Sequence, residues 1–130
     1  MSFIPVKSDN GAVLPWEYMP AAAGTYQAGQ LLSMSGGQLA ALAAASTTTP
    51  PYLCMADKEV KDGEPLPVTR ISHDHIYETQ LSAAAAAAQI GDKLQVTAGG
   101  LEADAGAAGT FELVSLEGTD KGAFVRGRWV

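Results

Sequence analysis

Apolar and polar residues alternate along two well-separated stretches of this chain. In Gly29–Leu39 (GQLLSMSGGQL) and again in Gly91–Leu101 (GDKLQVTAGGL), a glycine is followed by Leu three residues on and an apolar residue five on. A Gly-Gly pair and another Leu come next. A period of two is the pattern of a half-buried strand, and Gly-Gly supplies the positive φ angles of a tight hairpin. Each copy therefore predicts strand, turn, strand. The segments after the two copies also correspond: an aromatic-led strand (Tyr52–Asp57, Phe111–Leu116), then a charged loop. A charged residue with Gly then leads into a strand with Arg near its end (Asp62–Ile71, Lys121–Val130). A chance recurrence of glycines and leucines is the alternative. Two copies about sixty residues apart are too few for a solenoid.

The rest of the pattern fills in around these copies. Residues 1–23 hold Pro5, Pro15 and Pro20 together with Phe3, Trp16 and Tyr18. Proline excludes a regular helix or a central strand, while a disordered tail would be poor in aromatics. The segment predicts an extended arm that docks on a surface, either its own or a neighbour's. Gly24–Gly29 predicts a turn, and Ser46–Pro51 an extended loop. Pro65 and Pro67 predict an edge or bulged strand. His75–Leu81 alternates as a strand. Ser82 then precedes six alanines, which predicts a short capped helix, serving as a close-packing interface or as a spacer. The final strands predict Phe124, Trp129 and Val130 in the core. The expected architecture is mainly β, a small barrel or sandwich of short antiparallel strands. It comprises an arm (1–23) and one domain (24–130), whose pseudo-repeats 24–81 and 90–130 are joined by an Ala-rich helix at 82–89.

Composition narrows the function classes. At 130 residues the chain is one domain by prior, able to bury roughly two-thirds of its unfolded surface. Cys54 is its only cysteine, so no internal disulfide framework exists, and a buried apolar role suits it best. A net charge of −6 with scattered Lys and Arg argues against nucleic acid as a partner. No apolar run reaches membrane-spanning length, and the start lacks a secretory pattern, so neither a membrane nor export is expected. Up to Ala56 the charged side chains are Lys7, Asp9 and Glu17 alone. So long an uncharged half is expected to be buried or covered, the first pointer to assembly.

Catalytic chemistry finds little to work with. His73 and His75, flanking Asp74, face one side of a strand and could share a metal. Zinc wants three or four ligands, no further His exists, and surface or subunit-contact histidines are the plainer reading. No acidic pair stands out from the loop charges Asp57–Glu64. The Gly-Gly pairs do not open helices as phosphate loops do. Ser33, Ser35 and Ser115 lack a nucleophile-elbow context. A non-enzyme without metal or cofactor is expected.

The proline-punctuated arm, the Gly29–Leu39 hairpin with its GQL entry, and Tyr52–Asp57 after a Thr/Pro-rich loop resemble one known group. They are similar to the capsid decoration (head-stabilising, or cement) proteins of tailed bacteriophages, lambda-type and related prophage proteins. The resemblance implies a structural virion protein, made in the bacterial cytoplasm, that binds the outside of the capsid as a homotrimer and stabilises the shell. Its partners would be itself and the major capsid protein. It implies capsid contact by Phe3, Ile4, Pro5, Val6, Trp16 and Tyr18 through β-augmentation. Trimer contact is expected along the alanine run, Ala83, Ala84, Ala85, Ala86, Ala87 and Ala88. Alternatives are another phage structural module (a head-fibre base or tail-associated part) or a small ligand or carrier β-barrel. Neither Gly-Gly turn carries the lysine that a biotinyl or lipoyl carrier displays.

Overall fold

Both alternating stretches contribute hairpin strands in the computed structural model, which describes residues 2–11 and 15–130. The N-terminal segment supplies β1 (Ile4–Ser8) and β2 (Glu17–Pro20), followed by β3 (Gly24–Tyr26). The first hairpin is β4 (Leu31–Ser35) and β5 (Gln38–Ala41). After it come β6 (Tyr52–Cys54), β7 (Lys58–Val60) and β8 (Pro65–Arg70). The second half holds β9 (His75–Gln80), β10 (Lys93–Val96), β11 (Ala103–Ala108), β12 (Phe111–Leu116) and β13 (Phe124–Trp129). Among the described residues all pairing between these strands is antiparallel.

Beside the two-stranded β3–β7 ribbon, the strands form two larger sheets of one topology. The first runs β2-β8-β6-β4-β5 and the second β1-β9-β13-β12-β10-β11. Replacing β2, β4, β5, β6 and β8 by β9, β10, β11, β12 and β13 converts one order into the other, with β1 as an addition. Register agrees as well. Leu32 pairs with Tyr52 as Leu94 does with Phe111, and Tyr52 with Arg70 as Phe111 does with Trp129. The connecting hydrogen bonds repeat too. Gly63 N donates to Ala21 O at 2.9 Å and Ala21 N to Glu64 O at 3.0 Å. Gly122 N donates to Leu81 O at 2.8 Å and Leu81 N to Ala123 O at 3.0 Å. Each unit also has one parallel bridge, Ala21–Leu39 or Leu81–Ala103, that brings its first strand's end against its outermost strand. The edges meet at that single point, so neither sheet closes into a full barrel.

Each unit is filled from within. Alternate residues of a strand face opposite sides. Leu32, Leu39, Tyr52, Cys54, Leu66 and Val68 fill the first unit, where the β3–β7 ribbon adds Tyr26 and Val60. Leu31 and Leu53 project from the other face of β4 and β6. They join Phe3, Tyr77, Leu94, Phe111 and Trp129 in one cluster. The first unit's outer face thus packs on the second unit's core. The counterparts of Leu31, Leu53 and Thr69 in matching register are Lys93, Glu112 and Arg128, and that charged row lies outside the cluster. One copy of the outer face is apolar and docks; the other is charged and faces water.

Several expectations are corrected. Residues 82–89 form turns with no helix: the Ala85 N–H donates to Thr119 O at 2.8 Å, and Ala88 N reaches only back to Ala85 at 2.9 Å. Six alanines are too few to sustain a helix alone, so tertiary acceptors decide their backbone. Despite its prolines, β8 lies between β2 and β6. Pro67 lacks an N–H, but its carbonyl accepts from Met55 N at 3.0 Å, so the interior position costs little bonding. Gly24–Tyr26 is strand β3 instead of a turn, and the charged loop Asp57–Glu64 contains β7. Gly36 and Gly37, at φ 59° and 80°, form the expected two-residue hairpin turn with Ser35 opposite Gln38. Gly99 and Gly100 instead lie in a loop over 97–102, closed by Thr97 N to Glu102 O at 3.0 Å. Trp129 is buried, whereas Phe124 and Val130 are 44% and 47% exposed.

Candidate interaction surface

The N-terminal segment runs along both sheets. β1 pairs with β9, Ile4 opposite Glu78 and Ser8 opposite His75. Its far end is tied by a hydrogen-bonded ion pair from Arg128 Nη1 to Asp9 Oδ2 at 2.8 Å. β2 pairs with β8, Tyr18 opposite Pro67, and Glu17 reaches Arg70 at 3.4 Å. Both strands are sheet edges among the described residues. The arm thus folds back on its own chain, an outcome that the prolines left undecided.

The residues singled out for contact divide sharply. Phe3 is 1% exposed and inserted in the core. Its ring lies edge-on to Phe111 at 5.5 Å and against Trp129 at 5.7 Å. Burial removes it from any external contact. Pro5 is half-buried. Ile4 (52%), Val6 (38%), Trp16 (54%) and Tyr18 (69%) are exposed, and among the described residues they make up most of the large apolar side chains that face solvent. Edge position and apolar exposure coincide on β1 and β2. Of the alanine run, Ala85 is buried against the second unit's core and Ala88 is half-buried, while Ala83, Ala84, Ala86 and Ala87 are exposed. Ala84–Ala88 line a shallow depression of about 410 Å³ with Asp92, Asp104 and Gly106, a low-relief surface of small side chains.

Polar chemistry is sparse here. His73 Nδ1 lies 2.6 Å from the Trp129 carbonyl, which it meets as donor, and His75 is buried beside Tyr77 at a ring separation of 6.5 Å. No group of three His, Cys, Asp or Glu side chains able to hold a metal occurs among the described residues. Burial pushes the Cys54 thiol up, and its Sγ donates to Ala56 O at 3.2 Å. It therefore packs as a neutral side chain and lacks the thiolate a nucleophile needs. Burial likewise raises Tyr77, whose phenolic oxygen accepts from Ser72 N at 3.1 Å.

Phe3 and the apolar row of Leu31 and Leu53 are the residues sequence reasoning missed or misplaced. Setting the copies side by side carries the signal for the row, since Leu31 and Leu53 stand where Lys93 and Glu112 stand. No local pattern marks Phe3. No family model and no curated protein matches the chain.

Proposed function

We propose that the chain is a structural virion protein that binds the outside of a tailed-phage capsid as an oligomer, a homotrimer, and stabilises the shell without catalysis. The observation that carries this reading is the exposure of Ile4, Val6 and Tyr18 on two edge strands, with Trp16 exposed just before the second. An edge strand offers unpaired backbone groups for strand addition. Pro5 and Pro20 within these short strands limit unwanted growth. Phe3 acts as the anchor that holds β1 in place, so the shell contact narrows to Ile4, Pro5, Val6, Trp16 and Tyr18. Ala83, Ala84, Ala86 and Ala87 supply exposed small side chains on which subunits can approach closely. Several edge contacts on one assembly reinforce each other through effective concentration, so none needs to be tight alone.

The test is co-sedimentation with expanded phage heads stripped of their own decoration, alongside light scattering of the free protein. Three chains of 13.4 kDa give a particle of about 40 kDa. The full chain is expected to bind and to raise the temperature at which heads rupture. A folded Ile4→Ser/Val6→Ser/Trp16→Ser/Tyr18→Ser variant is expected to lose binding. A monomeric mass together with no binding to any head tested overturns the reading.

A further inference from the structure

The repeat supplies an internal control on the edges. In the second unit the outer side of β9 is covered by β1, with Ile4 directly opposite Glu78. Glu78 pairs with Arg126 of β13 as Tyr18 pairs with Pro67 of β8, so Glu78 and Tyr18 are counterparts. Among the described residues no strand pairs along the corresponding side of β2, whose end alone meets β5 through the Ala21–Leu39 bridge. One unit has its edge covered by an antiparallel strand of this chain; the other presents the same edge bare.

Backbone chemistry fixes where that edge points. Residues facing each other across an antiparallel pair alternate between exchanging two hydrogen bonds and exchanging none. Pro67 has no N–H, so Tyr18 and Pro67 cannot exchange two bonds. The N–H and C=O of Tyr18 must therefore both point away from β8, off the sheet. Trp16, Tyr18 and Pro20 are exposed, whereas Glu17 and Met19 are half-buried and Met19 packs on the first core.

We infer that the β2 edge is a self-association site that receives β2 of a second copy, antiparallel, about a twofold axis at Tyr18. The two Tyr18 residues then form the doubly hydrogen-bonded pair that their outward groups require. Trp16 of each copy faces Pro20 of the other, and Glu17 faces Met19. Apolar side chains meet on the exposed face and no carboxylate opposes its own copy, because Glu17 stays paired with Arg70 of its own chain. A register centred on Glu17 would put like charges face to face. A twofold contact closes on itself, so the bare edge is consumed without fibre growth. This goes beyond the shell-binding reading: in the free protein a second copy holds the β2 edge, and a shell that takes Trp16 and Tyr18 displaces it, while Ile4, Pro5 and Val6 on β1 stay open. It stands or falls independently of whether a capsid is bound.

The experiment places a thiol at the axis. In the full chain carrying Tyr18→Cys, the two thiols lie on residues with Cα atoms about 5.5 Å apart, within reach of a short bis-maleimide. Ile90→Cys, equally exposed at 67% but far in sequence from β2, is the collision control. On a denaturing gel the expected result is a two-chain band at least tenfold stronger for Tyr18→Cys, whatever else the protein assembles into. Equal bands overturn the proposal and leave the edge to a strand of another protein. As a second measurement, Tyr18→Pro removes an N–H that β8 does not use. It is expected to keep the circular dichroism of the fold while raising the dissociation constant of the pair at least tenfold. An unchanged constant in a folded Tyr18→Pro protein overturns the proposal as well.

Discussion

Phe3→Ala tests how the N-terminal segment is held. Phe3 is 1% exposed, and its ring touches Phe111 and Trp129. Truncating a buried Phe to Ala costs about 3–5 kcal/mol, because the lost transfer energy adds to that of the cavity left behind. The Phe3 N–H also donates to Gly29 O at 2.8 Å, a bond the variant can keep only while β1 stays docked. Since β1 is an edge strand, the chain can relieve the cavity by releasing it, which favours the lower part of the range. For 130 residues the unfolding entropy is about 0.27 kcal/mol/K, so the expected fall in Tm is about 11–18 °C. Differential scanning calorimetry at one protein concentration measures it, with Ile4→Ala, half exposed, as a control that should shift by no more than a few degrees. If Phe3→Ala melts within about 2 °C of the parent, Phe3 is not a core residue in solution. The segment would then be a free arm, and the assignment of β1 as a fixed edge would fall with it.

Two other outcomes rest on the same kind of contact. A Cβ at Gly100, whose φ is +76°, would lie 2.2 Å from the carbonyl oxygen of Leu31, and the Gly100 carbonyl accepts from Leu31 N at 2.8 Å. Gly37, at φ +80°, has open space around it. Gly37→Ala is expected to cost about 1–2 kcal/mol from backbone strain alone. Gly100→Ala should cost clearly more by urea denaturation, and equal losses would show that the two units do not touch there. Stability should also fall at alkaline pH. Burial raises the Cys54 thiol above its ordinary 9.0 and the Tyr77 phenol above its ordinary 10.0. The folded chain therefore holds these protons more tightly than the unfolded one. Their contribution is fully present below pH 9 and is lost as pH rises through the ordinary values toward the raised ones. Urea midpoints from pH 8 to 11 measure this, and Tyr77→Phe with Cys54→Ala should flatten the decline.

How much was legible in the sequence depended on the range of the interaction responsible. The repeat was legible because register and turn chemistry are local. Gly29 and Gly91 occupy matching places and donate to Cys54 O and Leu113 O at 2.8 and 2.9 Å, and the alternating leucines after each mark the inner face. The aromatic-led strands at Tyr52 and Phe111 were legible for the same reason. The alanine run misleads because helix propensity is a weak prior when six residues compete with tertiary acceptors. Pro65 and Pro67 mislead because proline forbids donation only, and a strand between two others tolerates it where the carbonyl alone is needed. The candidate surface was half legible: the aromatic content of the N-terminal segment was visible, whereas which rings lie exposed (Trp16, Tyr18) and which is buried (Phe3) was not.

By itself, then, the chain determined two copies of a β unit, their inner faces and the first hairpin turn. Each of these rests on neighbours in sequence and on residue chemistry. Tertiary structure alone decided that Phe3 plugs the core, that the apolar row at Leu31 and Leu53 docks one unit on the other, and that β1 covers one edge while no described strand covers β2. Those outcomes turn on which surfaces meet after each unit has formed. Burial on contact is non-directional and proportional to apolar area, so no short window of the chain records which partner supplies it.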